Sequence, residues 1–412
     1  MTKRRILIIN QFFQPEPNEL RGIRFVEELA HSGLDVEVLT GFPNYPVGRL
    51  YAGYKVKLYQ RDESVGNIVV HRVPHFVSHD SSGLHRACSY LSLMVSAMVF
   101  LLLKGGRYDV LWVQQGPATL ALAALVSRRL RRHQRYVLDA QDLWPESVTA
   151  TGMLSARFPE WPVTKLSEIG SRLADQVVTL SPGAAERLVD LGADPEAVTL
   201  VYNWAPESEV GADARRDSRS ILESTGRDFN VVYVGGFGVL QDLQTVVDAA
   251  RILEERNPDV GFVLAGDGVE FTKVSAQVLE SGVVNVSLPG RVTSEVGAAL
   301  VESSGAALLH LRETPLSKTA IPSKIGSYFY AGVPVVVAAE GAVADLAREA
   351  GGSVVVASGD AEALAGAIDG LARSSETERR LLGERSRTFY EERMSWKCGV
   401  DQLIGVVDQL VP

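Results

Sequence analysis

The chain has 412 residues, 46% hydrophobic and 22% charged. That is globular composition, long enough for two ordinary domains, and it excludes a disordered tail protein, a collagen and a small disulfide scaffold. Lysine plus arginine total 41 against 50 aspartates and glutamates, a net charge of −9, so a global polyanion binder is excluded and no nucleic-acid partner is expected.

The N-terminus, MTKRRILIIN, places a short apolar run after basic residues and before a polar segment. It reads as a first strand and its loop, because a signal peptide needs a longer apolar region and a small-residue cleavage site. Aliphatic runs predict strands at 6–9, 36–39, 68–73, 110–113, 136–139, 177–180 and 198–201, with amphipathic helices between them at 21–31 and 119–130. The run LSLMVSAMVFLLL at 91–103 is shorter than the roughly 20 residues of a membrane span. It predicts a buried helix, with contact at a membrane interface as the alternative.

The polar stretch YNWAPESEVGADARRDSR, 202–219, reads as a linker. A second alternation follows, with strands expected at 231–234, 261–265, 284–288, 306–310, 333–338 and 352–356. Helices are expected at 243–257 and 322–330, and again from 376 to 410. The pattern predicts an α/β protein of two doubly wound Rossmann-like domains facing a central cleft, with functional residues just after strands. The expected boundaries are 1–205, 206–393, and a closing helix at 394–412 that returns to the first domain.

Several strand-end segments carry chemistry. Gly235, Gly236, Phe237 and Gly238 follow a strand and precede a helix, where glycines let backbone amides approach an anion. Their spacing is not that of the dinucleotide fingerprint. Gly266, Asp267 and Gly268 form a second strand-end turn. The segment PLSKTAIPSKIGS, 315–327, runs into a helix start and offers Lys318, Lys324, helix amides and Ser327 to a diphosphate. In the first half, LDAQDLWPES, 138–147, gathers Asp139, Gln141, Asp142, Trp144 and Glu146 after a strand, a mixture suited to a polyhydroxy group. The loops containing Glu19 and Arg21, and Asn44 and Tyr45, reach the same strand ends. The basic stretch RRLRRHQR, 128–135, reads either as a solvated helix end or as a contact for anionic lipid or acceptor. His71, His75, His79 and His85 form no convincing metal set, and the serines show no nucleophile elbow. Cys88 and Cys398 have no metal-ligand spacing and read as reduced thiols of a cytoplasmic protein.

Together these segments resemble the retaining, nucleotide-sugar-dependent glycosyltransferases of family four, with the GT-B fold. Within that family the chain is similar to bacterial surface-polysaccharide enzymes of the fucosamine and colanic-acid type, through LTGFPNYPVGRLYAGYK, QDLWPES and TAIPSKIGSYFYAGVPVV. The similarity continues at Ser395-Trp396, ahead of the closing helix.

The resemblance implies that the second domain holds the donor. Gly235 to Gly238 would lie by the phosphates and sugar, with Gly266 and Asp267 beside them. Arg291 and Val292 would meet the base, and Lys318, Lys324, Thr319 and Ala320 the diphosphate. The first domain would hold the acceptor through Glu19, Arg21, Asn44, Tyr45, Asp139, Trp144 and Glu146. Asp142, Gln141 and Lys324 are the expected catalytic residues. No metal or other cofactor is expected beyond the nucleotide-sugar donor. The acceptor would be a glycan, a lipid-linked sugar or a small molecule, met in the cytoplasm or at the inner face of the plasma membrane. Where the family carries two glutamates, this chain has Thr319 and Ser327. That leaves a nucleotide-sugar-binding protein without turnover as a second reading, and a nucleotide-sugar 2-epimerase as a third.

Overall fold

The computed structural model describes residues 4–18, 20–65, 68–78, 83–144, 161–314 and 317–410. The chain divides into two compact units, Met1–Tyr202 with Gly399–Pro412, and Asn203–Cys398.

The first unit is built on an eight-stranded sheet. Its strands are β1 (Arg5–Ile9), β2 (Asp35–Thr40), β3 (Gln60–Val65), β4 (Ile68–Arg72), β5 (Val110–Gln114), β6 (Arg135–Ala140), β7 (Gln176–Thr179) and β8 (Val198–Leu200), in the order β3-β4-β2-β1-β5-β6-β7-β8. All pairs are parallel except β3 with β4. The inner strands read as continuous aliphatic runs because helices cover both faces of such a sheet. Ile6 to Ile9 and Val110 to Val113 are each at most 1% exposed. The sequence pattern missed β3, whose QRDESV has no apolar alternation. It is an edge strand, where charged side chains also discourage pairing with other chains.

The second unit has six parallel strands: β9 (Phe229–Val234), β10 (Val260–Ala265), β11 (Val286–Gly290), β12 (Ala306–His310), β13 (Val335–Ala338) and β14 (Ser353–Val356), in the order β11-β10-β9-β12-β13-β14. From β9 the chain first winds outward to β11 and then crosses to β12. The carboxyl ends of β9 and β12 therefore flank the switch point at which open α/β sheets bind ligands. In the first unit β1 and β5 hold the same place.

Two expectations change. The stretch expected as linker is irregular only to about residue 211, after which Ala212–Glu223 is a helix. Ala214, Ser218 and Leu222 recur on one face and are buried, with Ala214 packed in a cluster with Val210 and Ala299. This sparse, small-residue stripe is hidden among charges in the sequence. The apolar run of 91–103 belongs to a longer helix, Gly83–Lys104, of 22 residues. Only one face of that helix is buried, through Leu93, Ala97, Phe100 and Leu101.

Candidate functional site: strand-end loops of each unit

In the second unit the loops after β9 and β10 interlock. The Gly235 amide donates to Ala265 O (2.9 Å), and the Phe237 amide donates to Asp267 O (2.9 Å). Glycine is required twice over here. A Cβ on Gly266, at φ +148°, would stand 1.8 Å from Gly235 O, and one on Gly235, at φ +151°, would stand 2.0 Å from Lys324 Cε. Only glycine accepts both the backbone angle and the approach. Phe237 is fully buried, its ring 5.2 Å from that of Phe271, so only its main chain faces the loop. Tyr233 and Tyr328 brace the turn: the Tyr233 hydroxyl donates to Gly236 O (2.5 Å) and the Val234 amide donates to the Tyr328 hydroxyl (3.2 Å).

Lys324 lies against this turn. It sits in the first turn of the helix Ser323–Ala331, which has Pro322 at its N-cap and no acidic residue in that turn. The amides there lack a capping side chain, and the dipole favours an anion. The Lys324 ammonium is half-buried, with Nζ 5.3 Å from the centre of the Tyr233 ring, and it pairs with no carboxylate among the described residues. Burial lowers its pKa. A partly desolvated cation, open helix amides and a glycine turn converge on one point, and that point favours an anion of more than one charge.

Lys324, Ser327, Tyr328 and Val234 also line one side of a cavity of about 240 Å³, whose other walls include Ser294, Glu295 and Glu209. Ser327 thus reaches the pocket, as the sequence suggested. Glu295 and Glu209 were not anticipated, since nothing in their spacing separates them from surface acids. The remaining expected donor residues are engaged differently. Lys318 pairs with Glu313 in the open (3.1 Å), and Arg291 approaches Asp267 at 3.7 Å with both side chains exposed. Asp267 also accepts from the Gly268 amide (2.8 Å), and the Gly238 amide donates to Gln241 Oε1 (3.1 Å). Val292, Thr319 and Ala320 are half-buried, the last two just ahead of the Lys324 helix. His310, at the end of β12, is buried with Nδ1 on Gln241 O (3.0 Å) and, among the described residues, Nε2 without a partner; burial lowers its pKa.

In the first unit the expected acceptor residues are largely spent on one another. Arg21 and Asp139 form a fully buried ion pair (2.8 Å), and the Asp139 carboxylate also accepts from Trp112 Nε1 (3.2 Å) and from Gln141 Nε2. Among the described residues Gln141 Oε1 is buried without a partner, as are both amide atoms of Asn10 and Oε1 of Gln115. Sequence reasoning missed Asn10 and Gln115, which directly follow β1 and β5. Asn44 is buried, its Nδ2 on Phe42 O (3.1 Å) and His75 Nε2 (3.0 Å), while its amide and that of Tyr45 donate to Glu16 Oε1 (2.7 and 2.8 Å). Burial raises the Glu16 pKa in spite of those donors and lowers that of His75 to about 4. The Tyr45 ring stands 4.6 Å from that of Phe12. His71 lies inside β4, bonded to Glu37 (2.6 Å) and Tyr59 (2.8 Å).

Asp142 is exposed as a residue, yet the protein crowded around its carboxyl raises its pKa, and Trp144 is half-buried, its ring meeting Tyr90 edge-on at 5.8 Å. Glu19, Glu146 and His79 lie outside the described residues.

Two Rossmann-like units, each a mainly parallel sheet with its loops at a topological switch point, define the architecture of GT-B proteins. The sequence profile of the glycosyl transferase 4-like domain matches residues 24–204, and that of glycosyl transferases group 1 matches 214–389. The chain belongs to this glycosyltransferase family, of the family-four type. It is 26% identical over 352 residues to a protein of Escherichia coli named for colanic acid biosynthesis as a glycosyl transferase (WcaI), covering 82% of this chain and 83% of that one. It is also 26% identical over 198 residues to a Pseudomonas aeruginosa protein named as a glycosyltransferase (WbjE), covering 45% and 46%. Among solved structures, HepE of Anabaena in complex with UDP matches at TM-score 0.70 and 14% identity, over 98% of this chain and 100% of that one. Sucrose-phosphate synthase of Thermosynechococcus elongatus matches at 0.69 and 15%, over 99% of each. These structures share the fold.

Proposed function

We propose that the protein is a retaining, metal-independent glycosyltransferase that moves a sugar from a nucleoside-diphosphate donor to a glycan, lipid-linked or small-molecule acceptor. The product would be a bacterial polysaccharide or glycoconjugate, assembled in the cytoplasm or at the inner face of the plasma membrane. The observation that carries the reading is Lys324: a half-buried ammonium with no carboxylate partner among the described residues, beside Gly235 and at an uncapped helix start. UDP is the favoured diphosphate, because HepE was solved with UDP and with UDP-glucose; GDP is the next candidate.

The chemistry follows from those groups. As the bond between the anomeric carbon and the diphosphate oxygen breaks, negative charge grows on the diphosphate. Lys324 and the helix amides stabilise that charge without reorganising. The acceptor hydroxyl attacks on the face the diphosphate leaves. The new bond joins its oxygen to the anomeric carbon, and its proton passes to the departing phosphate oxygen. Gln141 and Asp142 of the first unit would orient the sugar or acceptor.

Thermal shift against UDP, GDP, dTDP and CMP and their sugars tests this, since a ligand bound only by the folded state raises Tm. A shift with UDP, lost in Lys324→Met, is expected. No shift with any of them would sink the donor site. A shift without sugar transfer or donor hydrolysis would instead favour the binding protein without turnover, the reading suggested by Thr319 and Ser327.

A further inference from the structure

The helix Gly83–Lys104 is apolar on both faces. Its inner face packs in the core through Leu93, Ala97, Phe100 and Leu101. Its outer face carries Leu84, Leu91, Val95, Val99 and Leu102, spaced to form one stripe, with Leu103 at its edge, and these are 42–78% exposed. From Ala87 to Leu103 the helix bears no charged residue. A surface helix normally turns a polar face to water; one that is apolar all round requires a second apolar environment. Because the inner face is already committed to the core, the helix can lie on a bilayer but not cross it.

The two ends of the stripe say what covers it. At the far end, Arg131 donates to Leu102 O (2.8 Å), which seats the basic stretch beside Lys104. Arg129 and Arg132 there are exposed and have no carboxylate partner among the described residues. They rim a groove of about 550 Å³ floored by Leu125 and Leu173. Cations clustered beside an apolar stripe, in a chain of net charge −9, match an anionic phospholipid surface. At the near end, the Phe76 amide donates to Ser92 Oγ (2.8 Å), the Phe76 ring is 46% exposed, and Tyr90 meets Trp144 beside Asp142. The stripe therefore begins at the strand-end loops of the first unit.

We infer that the 83–104 helix and the Arg129/Arg132 groove form one docking face for a bilayer rich in anionic phospholipid, and that the face brings the 141–144 loop to the membrane surface. It deepens the proposed bilayer-side acceptor by naming the surface that would reach it; its evidence does not depend on the donor.

The test is flotation of the full chain with phosphatidylcholine vesicles, with and without phosphatidylglycerol. Binding is expected to the anionic vesicles and to weaken as salt rises. Val95→Glu/Val99→Glu should abolish it. Arg129→Glu/Arg132→Glu should weaken it by about tenfold or more on anionic vesicles. Circular dichroism and the UDP thermal shift report whether either variant folds and keeps its donor site, so loss of lipid binding is read separately from loss of the donor reading. No binding by the folded wild type would overturn the inference. So would a dimer in sedimentation that Val95→Glu/Val99→Glu dissolves while vesicles stay unbound, since a second copy would then be the cover.

Discussion

The strand-end loops of the two units solve opposite problems with the same topology. In the first unit the charged groups are taken up by neighbours: Arg21 with Asp139, and Glu16 with the Asn44 and Tyr45 amides, Asn44 in turn meeting His75. In the second, the central cation is held against a glycine turn, with no carboxylate partner among the described residues. The first arrangement stabilises loops, and the second leaves uncompensated the charge that the proposed donor site calls for. A charged residue at a strand end thus says little about function until its partners are known. Arg21 and Lys324 look alike in sequence and act differently because only one of them has a counter-ion.

The sharpest way to break this contrast is to unpair the first-unit charges. Arg21→Met leaves the buried Asp139 without its counter-ion, held only by the neutral Trp112 and Gln141 donors, a change expected to cost about 3–5 kcal/mol of stability. Chemical denaturation should show that loss; a variant as stable as the parent would mean the pair is not structural. Lys324→Met should do the reverse, with UDP affinity falling by about 2–3 kcal/mol in calorimetry while the unliganded protein holds or gains stability. The pKa shift gives the sign. The folded state depresses the Lys324 pKa, so between that value and the ordinary lysine value the unfolded chain binds more protons, and stability rises with pH through that window. At neutral pH the charged lysine is therefore a cost to the empty fold.

His75 sharpens the first-unit side. Its pKa is lowered to about 4 by burial. The proton goes to the unfolded chain first, so stability is full above the ordinary histidine value and falls as pH drops toward about 4. The loss should reach about 3 kcal/mol, and His75→Gln should flatten that part of the pH–stability curve. The smallest expected effect lies at Ser327. Ser327→Glu places a carboxylate on the wall of the 240 Å³ cavity and should tighten ribonucleotide binding by about 1 kcal/mol, with 2′- and 3′-deoxy nucleotides gaining less. Equal gains for all three would show that the side chain does not meet the ribose.

Much of the second unit was legible in the sequence, because parallel strands buried on both faces announce themselves as aliphatic runs and glycines mark the turns that follow. The 306–310 strand and the 119–130 helix fall where the pattern put them. The Lys324 helix was anticipated from Pro322 and Gly332, which bracket it. What stayed hidden depends on partners distant in sequence. Nothing local says that Arg21 reaches Asp139, that Lys318 is neutralised by Glu313, or that Glu295 turns to a cavity. The helix at 212–223 was obscured because its buried stripe is alanine, serine and leucine among charges. The outer face of the 83–104 helix was equally hidden, since hydropathy measures how apolar a segment is and not which side the core has used.

Gly235 carries a consequence for how this protein tolerates change. Its missing side chain is the seat of the lysine alkyl stem, with a Cβ position 2.0 Å from Lys324 Cε. The two residues are thus one fitted part contributed by two separate segments. A replacement at 235 would expel the lysine without touching its codon. A shorter residue at 324 would remove that clash but not the backbone angle of φ +151°, so position 235 should stay glycine even in a library randomised at both positions, while 324 can vary alone.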